Sequence, residues 1–263
     1  EQYGVNIEVM SAPTEGDKQS QLETLNAMAL KDYKAIVLSP IEPYNLLPGI
    51  IQCNKNGIPV INLGPGINVD SLKEMGGRLD GRLTVDFAQQ GELAASDMVK
   101  RIGTGKVAII QGIPGAAQSE GRTAGAKKVF ESTKGVELVS VQPANWDSTA
   151  AYNAASDIIQ AHGDLKGIFC CNDVMALAAS RALTDAGLKD KVLLYGVDGT
   201  EEAKTAIKEG RMDGTITYPS SAYAKAAVIM LLKLAQGMDM SQTVYCPLDV
   251  INTENVAQFD GYM

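Results

Sequence analysis

The chain has 263 residues, of which 45% are hydrophobic, 21% charged and 5% aromatic, and its formal net charge is -8 at pH 7. This length allows one large domain or two small ones with an aliphatic core. The acidic balance argues against a nucleic-acid surface, which needs a clustered basic patch. No apolar run reaches the length of a membrane span, since Lys233 interrupts the longest one. The sequence begins with polar residues and shows no signal segment. Because a secreted precursor loses this segment, its absence does not determine the compartment.

Short β-rich runs alternate with amphipathic helical runs along the chain. The predicted strands cover residues 5–10, 35–39, 58–63, 106–111, 136–141, 167–171, 192–197 and 214–218. The predicted helices cover residues 17–32, 90–102, 121–133, 149–161, 174–183 and 200–210. Continuous apolar strands that alternate with helices are typical of βαβ units, in which helices cover both faces of a parallel sheet. The predicted fold class is therefore α/β.

Two sheets fit this pattern better than one. The alternation breaks in the loop-rich passage 64–86, which we interpret as a first crossing between two lobes, near Val85. The irregular stretch "TYPSSAY" (217–223) carries the chain back, and the residues after Pro247 cross a third time. The predicted N-terminal lobe comprises residues 1–85 and 219–246, and the C-terminal lobe comprises 86–218 and 247–263.

Polar and aromatic side chains follow the predicted strands of the second lobe, at the strand ends where open α/β sheets bind ligands. Arg122, Trp146, Asn172 and Asp198 each come after a different strand. Arginine, amide and carboxylate groups fix pairs of hydroxyl groups through charge-assisted hydrogen bonds, and an indole ring offers a flat surface to C–H groups. The pattern indicates a site for a polyhydroxylated ligand.

Each of these residues also has a purely structural interpretation. Asp173 and Asp147 directly precede helical runs and are candidate N-caps. Trp146 is either a core residue or the wall of a cleft. Arg122 is either a solvated charge on a helix or a ligand contact. Asp198 is either a turn residue or a ligand contact. The residues alone leave these alternatives open.

No pattern for catalysis, a metal or a cofactor is found. Cys170 and Cys171 point to opposite faces of a predicted strand, so they can hardly share a metal, and burial in the strand is the favoured interpretation. The single histidine, His162, ends a helical run. The sequence contains neither a phosphate-binding loop nor a nucleophile elbow. We therefore expect a binding protein without catalytic, metal or cofactor sites, and not an enzyme.

The strand-end residues carry a family resemblance. The sequence resembles the periplasmic sugar-binding proteins of ABC importers, of the ribose-binding type and most closely the D-allose-binding branch. The similar motifs, in the family's order, are "SAPTEGDKQSQLETLNAMALKDYKAIVLSP", "VAIIQGIPGAAQSEGRTAGAKKVF", "VSVQPANWD", "FCCNDVMALAASRAL", "LLYGVDGTEEAKTAI" and "GTITYP". The resemblance implies a type I periplasmic binding protein, in which two Rossmann-like lobes with parallel sheets are joined by a three-segment hinge.

The resemblance also assigns roles to residues. Arg122 resembles the arginine that grips sugar hydroxyls, and Trp146 resembles the stacking aromatic residue. Asn172 and Asp198 resemble the amide and carboxylate that complete the polar clamp. On this view Asn172 faces the cleft and Asp173 caps the following helix.

The sequence departs from the family pattern at several positions. Gly64 and Pro65 stand where the family commonly has an aspartate, Phe87 replaces a polar residue, and Tyr218 replaces a glutamine. These departures favour a smaller polyol, a deoxy sugar or another less polar ligand. Phe87, Tyr218 and Ile113 complete the predicted ligand-binding residues.

A second departure lies at the start of the chain. The family has a strand and a helix ahead of the segment similar to "GVNIEVM" (4–10), and that unit is absent from this sequence. We expect a processed or incomplete chain whose N-terminal sheet has exposed edges.

The resemblance implies the function and the partners. We expect a monomeric, extracytoplasmic solute-binding protein that closes two lobes around a sugar or polyol and delivers it to the membrane permease of an ABC importer. It would act in the periplasm or as a cell-surface lipoprotein, without nucleic acid. The alternative is the effector-binding core of a LacI-type transcription regulator, which shares the fold.

Overall fold

Parallel strands alternate with helices through the computed structural model, which describes residues 6–14 and 16–259. The chain folds as two compact units. Unit 1 comprises Glu1–Thr84 and Ala224–Tyr245, and unit 2 comprises Val85–Tyr223 and Cys246–Met263. The middle crossing lies after residue 223, whereas the sequence predicts it after residue 218. The assignment of the units as the two lobes of a hinged pair stays a prediction.

Unit 1 contains one parallel sheet. Its elements are α1 (Lys18–Ala29), β1 (Ile36–Leu38), α2 (Leu47–Lys55), β2 (Val60–Leu63), α3 (Val69–Glu74) and β3 (Gly81–Thr84), and the elements numbered α9 (Ser220–Ala235) and β9 (Met240–Tyr245) in chain order. The strands lie in the order β1-β2-β3-β9, and every pair is parallel. Helix α9 starts in unit 2 and continues in unit 1.

The predicted first strand, residues 5–10, is wrong where the structure describes it. Residues 6–10 form no strand and are exposed, while residue 5 lies outside the described residues. Ile7 and Val9 supply the alternating pattern of a strand and are 72% and 87% exposed. A strand also needs a neighbour that accepts its backbone hydrogen bonds, and none of the four strands of this sheet pairs with residues 6–10.

The passage 64–86 is more regular than its sequence predicts. It contains helix α3 and strand β3, and β3 pairs with both β2 and β9. Strand β3 has only four residues, "GRLT", with Arg82 between the buried Gly81 and Leu83. A strand this short shows too little periodicity to be recognised from sequence.

Unit 2 contains a larger sheet that helices cover. Its elements are α4 (Phe87–Ile102), β4 (Gly105–Gln111), α5 (Ala117–Ser132), β5 (Val136–Pro143), α6 (Ser148–Ala161), β6 (Leu165–Cys170), α7 (Asp173–Asp185), β7 (Leu193–Val197), α8 (Glu201–Lys208), β8 (Gly214–Thr217), β10 (Asp249–Asn252) and the short 3-10 helix η1 (Val256–Phe259). These elements confirm the predicted strands and helices of this region, with boundaries shifted by a few residues.

The strand order of unit 2 positions the site. The strands lie in the order β10-β8-β7-β6-β4-β5, and only β10 runs antiparallel to its neighbour. From β4 the chain first proceeds to β5 on one side and then to β6, β7 and β8 on the other. Loops at the carboxyl ends of strands separate at such a reversal, and ligands bind there in α/β folds.

Candidate functional site

The predicted binding residues of unit 2 lie at the carboxyl ends of its strands. Trp146 follows β5, Asn172 follows β6, Asp198 follows β7 and Tyr218 follows β8, whereas Arg122 lies on helix α5. Phe87 is the first residue of α4, and Ile113 lies in the loop between β4 and α5. The hydrogen bonds and ring contacts show which of these side chains are in contact.

Arg122 is buried and forms the centre of a polar cluster. Only 6% of the residue is exposed, so the interpretation as a solvated helix charge is wrong. Its Nε donates to Oε1 of Gln90 at 2.8 Å, its Nη1 to the carbonyl of Cys171 at 2.7 Å, and its Nη2 to Oδ1 of Asp198 at 3.2 Å. The guanidinium carbon also lies 5.9 Å from the centre of the Phe87 ring. A guanidinium carries more N–H groups than these three hydrogen bonds use.

Glycines allow helices α4 and α5 to approach closely enough to form this cluster. A Cβ added at Gly91 would lie 2.0 Å from the carbonyl oxygen of Arg122, and one at Gly125 would lie 1.9 Å from the carbonyl oxygen of Ala88. A Cβ at Gly121 would lie 2.7 Å from Cβ of Phe87. Only residues without side chains fit at these crossings, and the close approach presents Gln90 and Phe87 to Arg122.

Asp198 occupies a strained turn. Its φ of 125° is rare for a residue with a side chain, and Gly199 follows with a φ of 70°. The Asp198 N–H donates to the carbonyl of Ile216 at 2.8 Å, and its carbonyl accepts from the Thr217 hydroxyl at 3.2 Å. Its side chain is 39% exposed beside Arg122. The residue therefore forms a turn and also contributes a carboxylate to the cluster.

Trp146 belongs partly to the core and partly to the surface. The residue is half-buried and packs against the hydrophobic core of unit 2. A Cβ added at Gly112, just after β4, would lie 2.1 Å from Cη2 of the indole, so the ring covers this glycine directly. Asn145 and Trp146 have φ values of 54° and 64°. Strained backbone of this kind clusters at functional sites.

Asn172, and not Asp173, caps helix α7. The Asn172 side chain caps helix α7 by accepting from the Met175 N–H at 2.9 Å. Asp173 is fully buried, and its carboxyl accepts from the Thr200 N–H at 2.9 Å and from the Thr215 hydroxyl at 2.7 Å. The prediction that Asp173 caps the helix is wrong because β6 ends one residue earlier than predicted, which moves the cap to Asn172. Asp147 does cap its helix, α6.

Aromatic rings lie beside the charged pair. Tyr218 and Tyr223 have ring centres 5.2 Å apart, and Tyr218 is half-buried. Burial raises the pKa of the Tyr218 hydroxyl, and the negative charge of Asp198 raises it further. Ile113 is half-buried, and its carbonyl accepts from the Ala116 N–H at 3.2 Å. The role of Ile113 in binding stays a prediction.

Comparisons with known proteins agree with this fold. A family model described as "Periplasmic binding protein domain" matches residues 1–239. The chain belongs to the periplasmic binding protein family. The D-allose-binding periplasmic protein of Escherichia coli (strain K12) is 36% identical over 215 residues, which cover 81% of this chain and 69% of that relative. The ribose import binding protein RbsB of Bacillus subtilis (strain 168) is 25% identical over 243 residues, covering 92% of this chain and 76% of that relative.

A solved structure shows the same architecture. An ABC transporter periplasmic solute binding protein from Actinobacillus succinogenes 130z, solved with bound D-allose, matches this periplasmic binding protein with a TM-score of 0.93. The two sequences are 30% identical, and the match covers 98% of this chain and 90% of that one. The match confirms the predicted α/β fold with parallel-sheet lobes. The family consists of binding proteins and not of enzymes.

The sequence prediction missed the residues that support the polar cluster around Arg122. Gln90 is fully buried, and its Nε2 has no hydrogen-bond partner among the described residues. Thr215 is fully buried and contacts Asp173, while Thr217 contacts the Asp198 carbonyl. Buried polar residues of this kind have no signature in one sequence. The four-residue spacing of Gly121 and Gly125 was the available signal for a close helix crossing.

The departure at Gly64 lies in unit 1, where the loop after β2 has its own support. Gly64 has a φ of 63°, and its carbonyl accepts from the Thr84 hydroxyl at 2.8 Å. The buried Asn62 donates from Nδ2 to the carbonyl of Pro65 at 2.8 Å and to that of Leu63 at 3.0 Å. The loop therefore has a defined backbone without the family's aspartate.

Two absences concern only the described part of the chain. Among its histidine, cysteine and acidic residues, no group of three is placed to hold a metal ion. Within residues 6–14 and 16–259, no helix has the length and apolar character needed to cross a membrane.

Proposed function

We propose that this periplasmic binding protein binds a sugar and delivers it to an ABC importer, with D-allose as the first ligand to test. The observation that carries the proposal is the ion pair of Arg122 and Asp198 at the carboxyl ends of the unit 2 strands. Two relatives support D-allose: the Escherichia coli protein is named for binding it, and the Actinobacillus succinogenes structure contains it.

The cluster has the chemistry that a sugar edge requires. Adjacent hydroxyl groups can each donate and accept a hydrogen bond. Asp198 offers a partly exposed carboxylate that accepts, and Arg122 retains N–H groups that donate. The half-buried rings of Phe87, Trp146 and Tyr218 offer apolar surfaces to the C–H groups of a sugar ring. Asn172 and Ile113 complete the proposed binding residues.

Delivery to the importer requires a partner and a change of shape. We place the protein in the periplasm or, as a lipoprotein, at the cell surface, where it acts as a monomer. Closure of two lobes around the sugar would present a shape that the membrane permease recognises. A ligand that contacts the closed form more favourably shifts the population toward it without further chemistry. Small-angle scattering checks this part: D-allose should reduce the radius of gyration.

A panel of ligands tests the proposed function. We expect D-allose to raise the thermal midpoint at millimolar concentration, since a ligand that binds only the folded state stabilises it. Ribose, deoxy sugars and polyols belong in the panel because Gly64, Phe87 and Tyr218 depart from the family pattern. Native mass spectrometry of protein purified without added sugar would identify a retained solute. If no sugar or polyol stabilises the protein, the proposal is refuted.

A substitution tests the charged pair itself. We expect Asp198→Ala to abolish measurable D-allose binding, because Arg122 would then remain buried without its carboxylate. The matched control is Asp157→Ala, which removes an exposed carboxylate from helix α6 of the same unit. The control should bind normally. Full affinity in Asp198→Ala would remove Asp198 from the site.

A further inference from the structure

A fully buried carboxyl group lies directly beneath the binding cluster. Asp173, the first residue of α7, has no exposed surface. Its Oδ2 accepts from the backbone N–H of Thr200 at 2.9 Å, and its Oδ1 contacts the Thr215 hydroxyl at 2.7 Å. The Thr215 hydroxyl in turn accepts from the N–H of Gly199 at 3.2 Å. Asp173 therefore holds two consecutive backbone N–H groups, one directly and one through Thr215.

These N–H groups belong to the two residues that immediately follow Asp198. The backbone on the other side of Asp198 is also held, since its own N–H donates to the Ile216 carbonyl. The two N–H groups that follow Asp198 point at the fully buried Asp173 and Thr215, and an N–H group that faces the protein interior without an acceptor is costly. The contacts of Asp173 and Thr215 thus fix the turn in the conformation that gives Asp198 its positive φ.

Packing around the turn leaves little room for another arrangement. A Cβ added at Gly196 would lie 2.3 Å from Oδ1 of Asp173, and one at Gly199 would lie 2.3 Å from Oγ1 of Thr217. The segment from Gly196 to Thr200 therefore lies directly against the Asp173 carboxyl on one side and strand β8 on the other. Movement of the carboxyl would release the turn that carries Asp198.

The charges around Asp173 agree with a supporting role. The groups that face its carboxyl are the hydroxyls of Thr200 and Thr215, the thiol of Cys170 and the carboxylate of Asp198. Burial, and then the negative charge of Asp198, raises the pKa of Asp173 to about 8. A neutral carboxyl keeps both contacts, because its proton can lie in the hydrogen bond with Thr215. Asp198 then carries the charge that meets Arg122.

We propose that Asp173 is a positioning residue that holds the Asp198–Thr200 turn, directs the Asp198 carboxylate toward Arg122 and so sets the affinity for the sugar. This inference rests on the proposed function for its effect on affinity. Its effect on the geometry of the turn is independent of any ligand. Asp173 itself makes no contact with the sugar in this scheme.

Two substitutions at Asp173 separate loss of the two contacts from loss of the ionisable group. Asp173→Ala removes both contacts, and we expect the dissociation constant for D-allose to rise about 10- to 100-fold. Asp173→Asn resembles the neutral carboxyl, since its oxygen can accept from Thr200 while its amide donates to Thr215. We expect its affinity to stay within about fivefold of the unmodified protein. Isothermal titration calorimetry measures both.

The matched control is Ser180→Ala on the same helix. Ser180 is buried and donates to the carbonyl of Arg211 at 2.8 Å, away from the turn. Its loss should lower the thermal midpoint without changing the dissociation constant, which separates a general loss of stability from loss of positioning. If Asp173→Ala does not fold, Thr215→Val serves instead. It keeps the volume, removes the link to Gly199 and should weaken binding about tenfold.

Crystal structures of the ligand-free variants test the positioning directly. In Asp173→Ala, or in Thr215→Val, we expect Asp198 to leave its positive φ and its Oδ1 to move out of hydrogen-bond range of Nη2 of Arg122. An unchanged turn, or unchanged affinity in a folded Asp173→Ala, overturns the inference. If the unmodified protein binds no D-allose, the proposed ligand fails, and the geometry of the turn still tests the role of Asp173.

Discussion

Gly112→Ala should displace the single tryptophan of the protein. A Cβ at this position would lie 2.1, 2.2 and 2.3 Å from the Cη2, Cζ2 and Cζ3 atoms of Trp146. Ordinary carbon contacts begin at about 3.5 Å, so the indole must retreat by roughly 1.4 Å. Because Trp146 is half-buried, the ring can move toward solvent and does not need to compress the core.

The structure sets the size of the two expected effects. Overpacking costs about 1–3 kcal/mol, and this substitution should lie near the lower end because the indole of Trp146 can move toward solvent. Replacing glycine also lowers the entropy of the unfolded chain, which offsets about 0.4–1 kcal/mol. The free energy of unfolding should therefore fall by about 1 kcal/mol or less. Loss of a ring contact with the sugar should weaken D-allose binding about tenfold.

Intrinsic fluorescence measures the displacement, because Trp146 is the sole tryptophan. We expect a red-shifted emission maximum in Gly112→Ala and a weaker response to D-allose in the same titration. The matched control is Gly163→Ala. A Cβ there meets nothing within 4 Å, and the residue is exposed. An unchanged spectrum together with unchanged affinity in Gly112→Ala would refute the placement of the indole in the binding site.

Three further predictions concern the polar cluster. Arg122→Lys cannot reproduce three separate donor contacts, so we expect D-allose affinity by calorimetry to fall about 10- to 100-fold, and near-normal affinity would contradict the role of Arg122. Gln90→Met removes the acceptor of the Arg122 Nε while also removing a buried, unpartnered Nε2, so affinity should fall about threefold to tenfold with a thermal midpoint close to normal. An unchanged dissociation constant would show that Gln90 does not orient the guanidinium. The pKa of Asp173 is raised to about 8 in the folded state, whereas the unfolded chain has the ordinary value of 3.8. Between these two values the folded state holds a proton that the unfolded chain has already released, so the free energy of unfolding should decline as the pH rises. Urea unfolding at several pH values should show a smaller decline of the unfolding free energy with pH in Asp173→Asn than in the unmodified protein, and the slopes should differ by at most about 1.4 kcal/mol per pH unit. Equal slopes in the two proteins would contradict the raised pKa of Asp173.

The sequence predicted strands β4, β6, β7 and β8 of unit 2 well because most of their residues are buried. Residues 107–110 of β4 and 167–170 of β6 are continuous apolar runs in which every residue is buried. Strand β9 was missed because its residues "MSQTVY" are mostly exposed and polar, so the hydrophobic pattern carries no signal. Residues 6–10 gave the opposite error, since a strand pattern alone does not supply the neighbour that a strand needs.

The candidate site was predictable at the level of residue types and not at the level of contacts. The positions of Arg122, Trp146 and Asp198 follow from the strand ends. The hydrogen bond between Arg122 and Asp198 joins residues 76 positions apart, which no local pattern encodes. The position of the cap at Asn172 instead of Asp173 depends on a single residue at the end of β6, because both residue types are good N-caps.

The carboxyl groups of Asp173 and Asp198 show that burial, and not residue type, decides their roles. Asp173 and Asp198 each follow a central strand of the same sheet, and each begins a turn or helix. Asp198 keeps 39% of its side chain exposed beside a guanidinium, so a ligand can reach its carboxylate. Asp173 has no exposed surface, and its burial, followed by the negative charge of Asp198, raises its pKa and favours the neutral form, although the hydrogen bonds from Thr200 and Thr215 act in the opposite direction. Two neighbouring acids whose burial differs in this way can have different roles, one in binding and one in support. A substitution near Asp173 that exposes its carboxyl to water should therefore weaken binding, even though every residue that touches the sugar is unchanged.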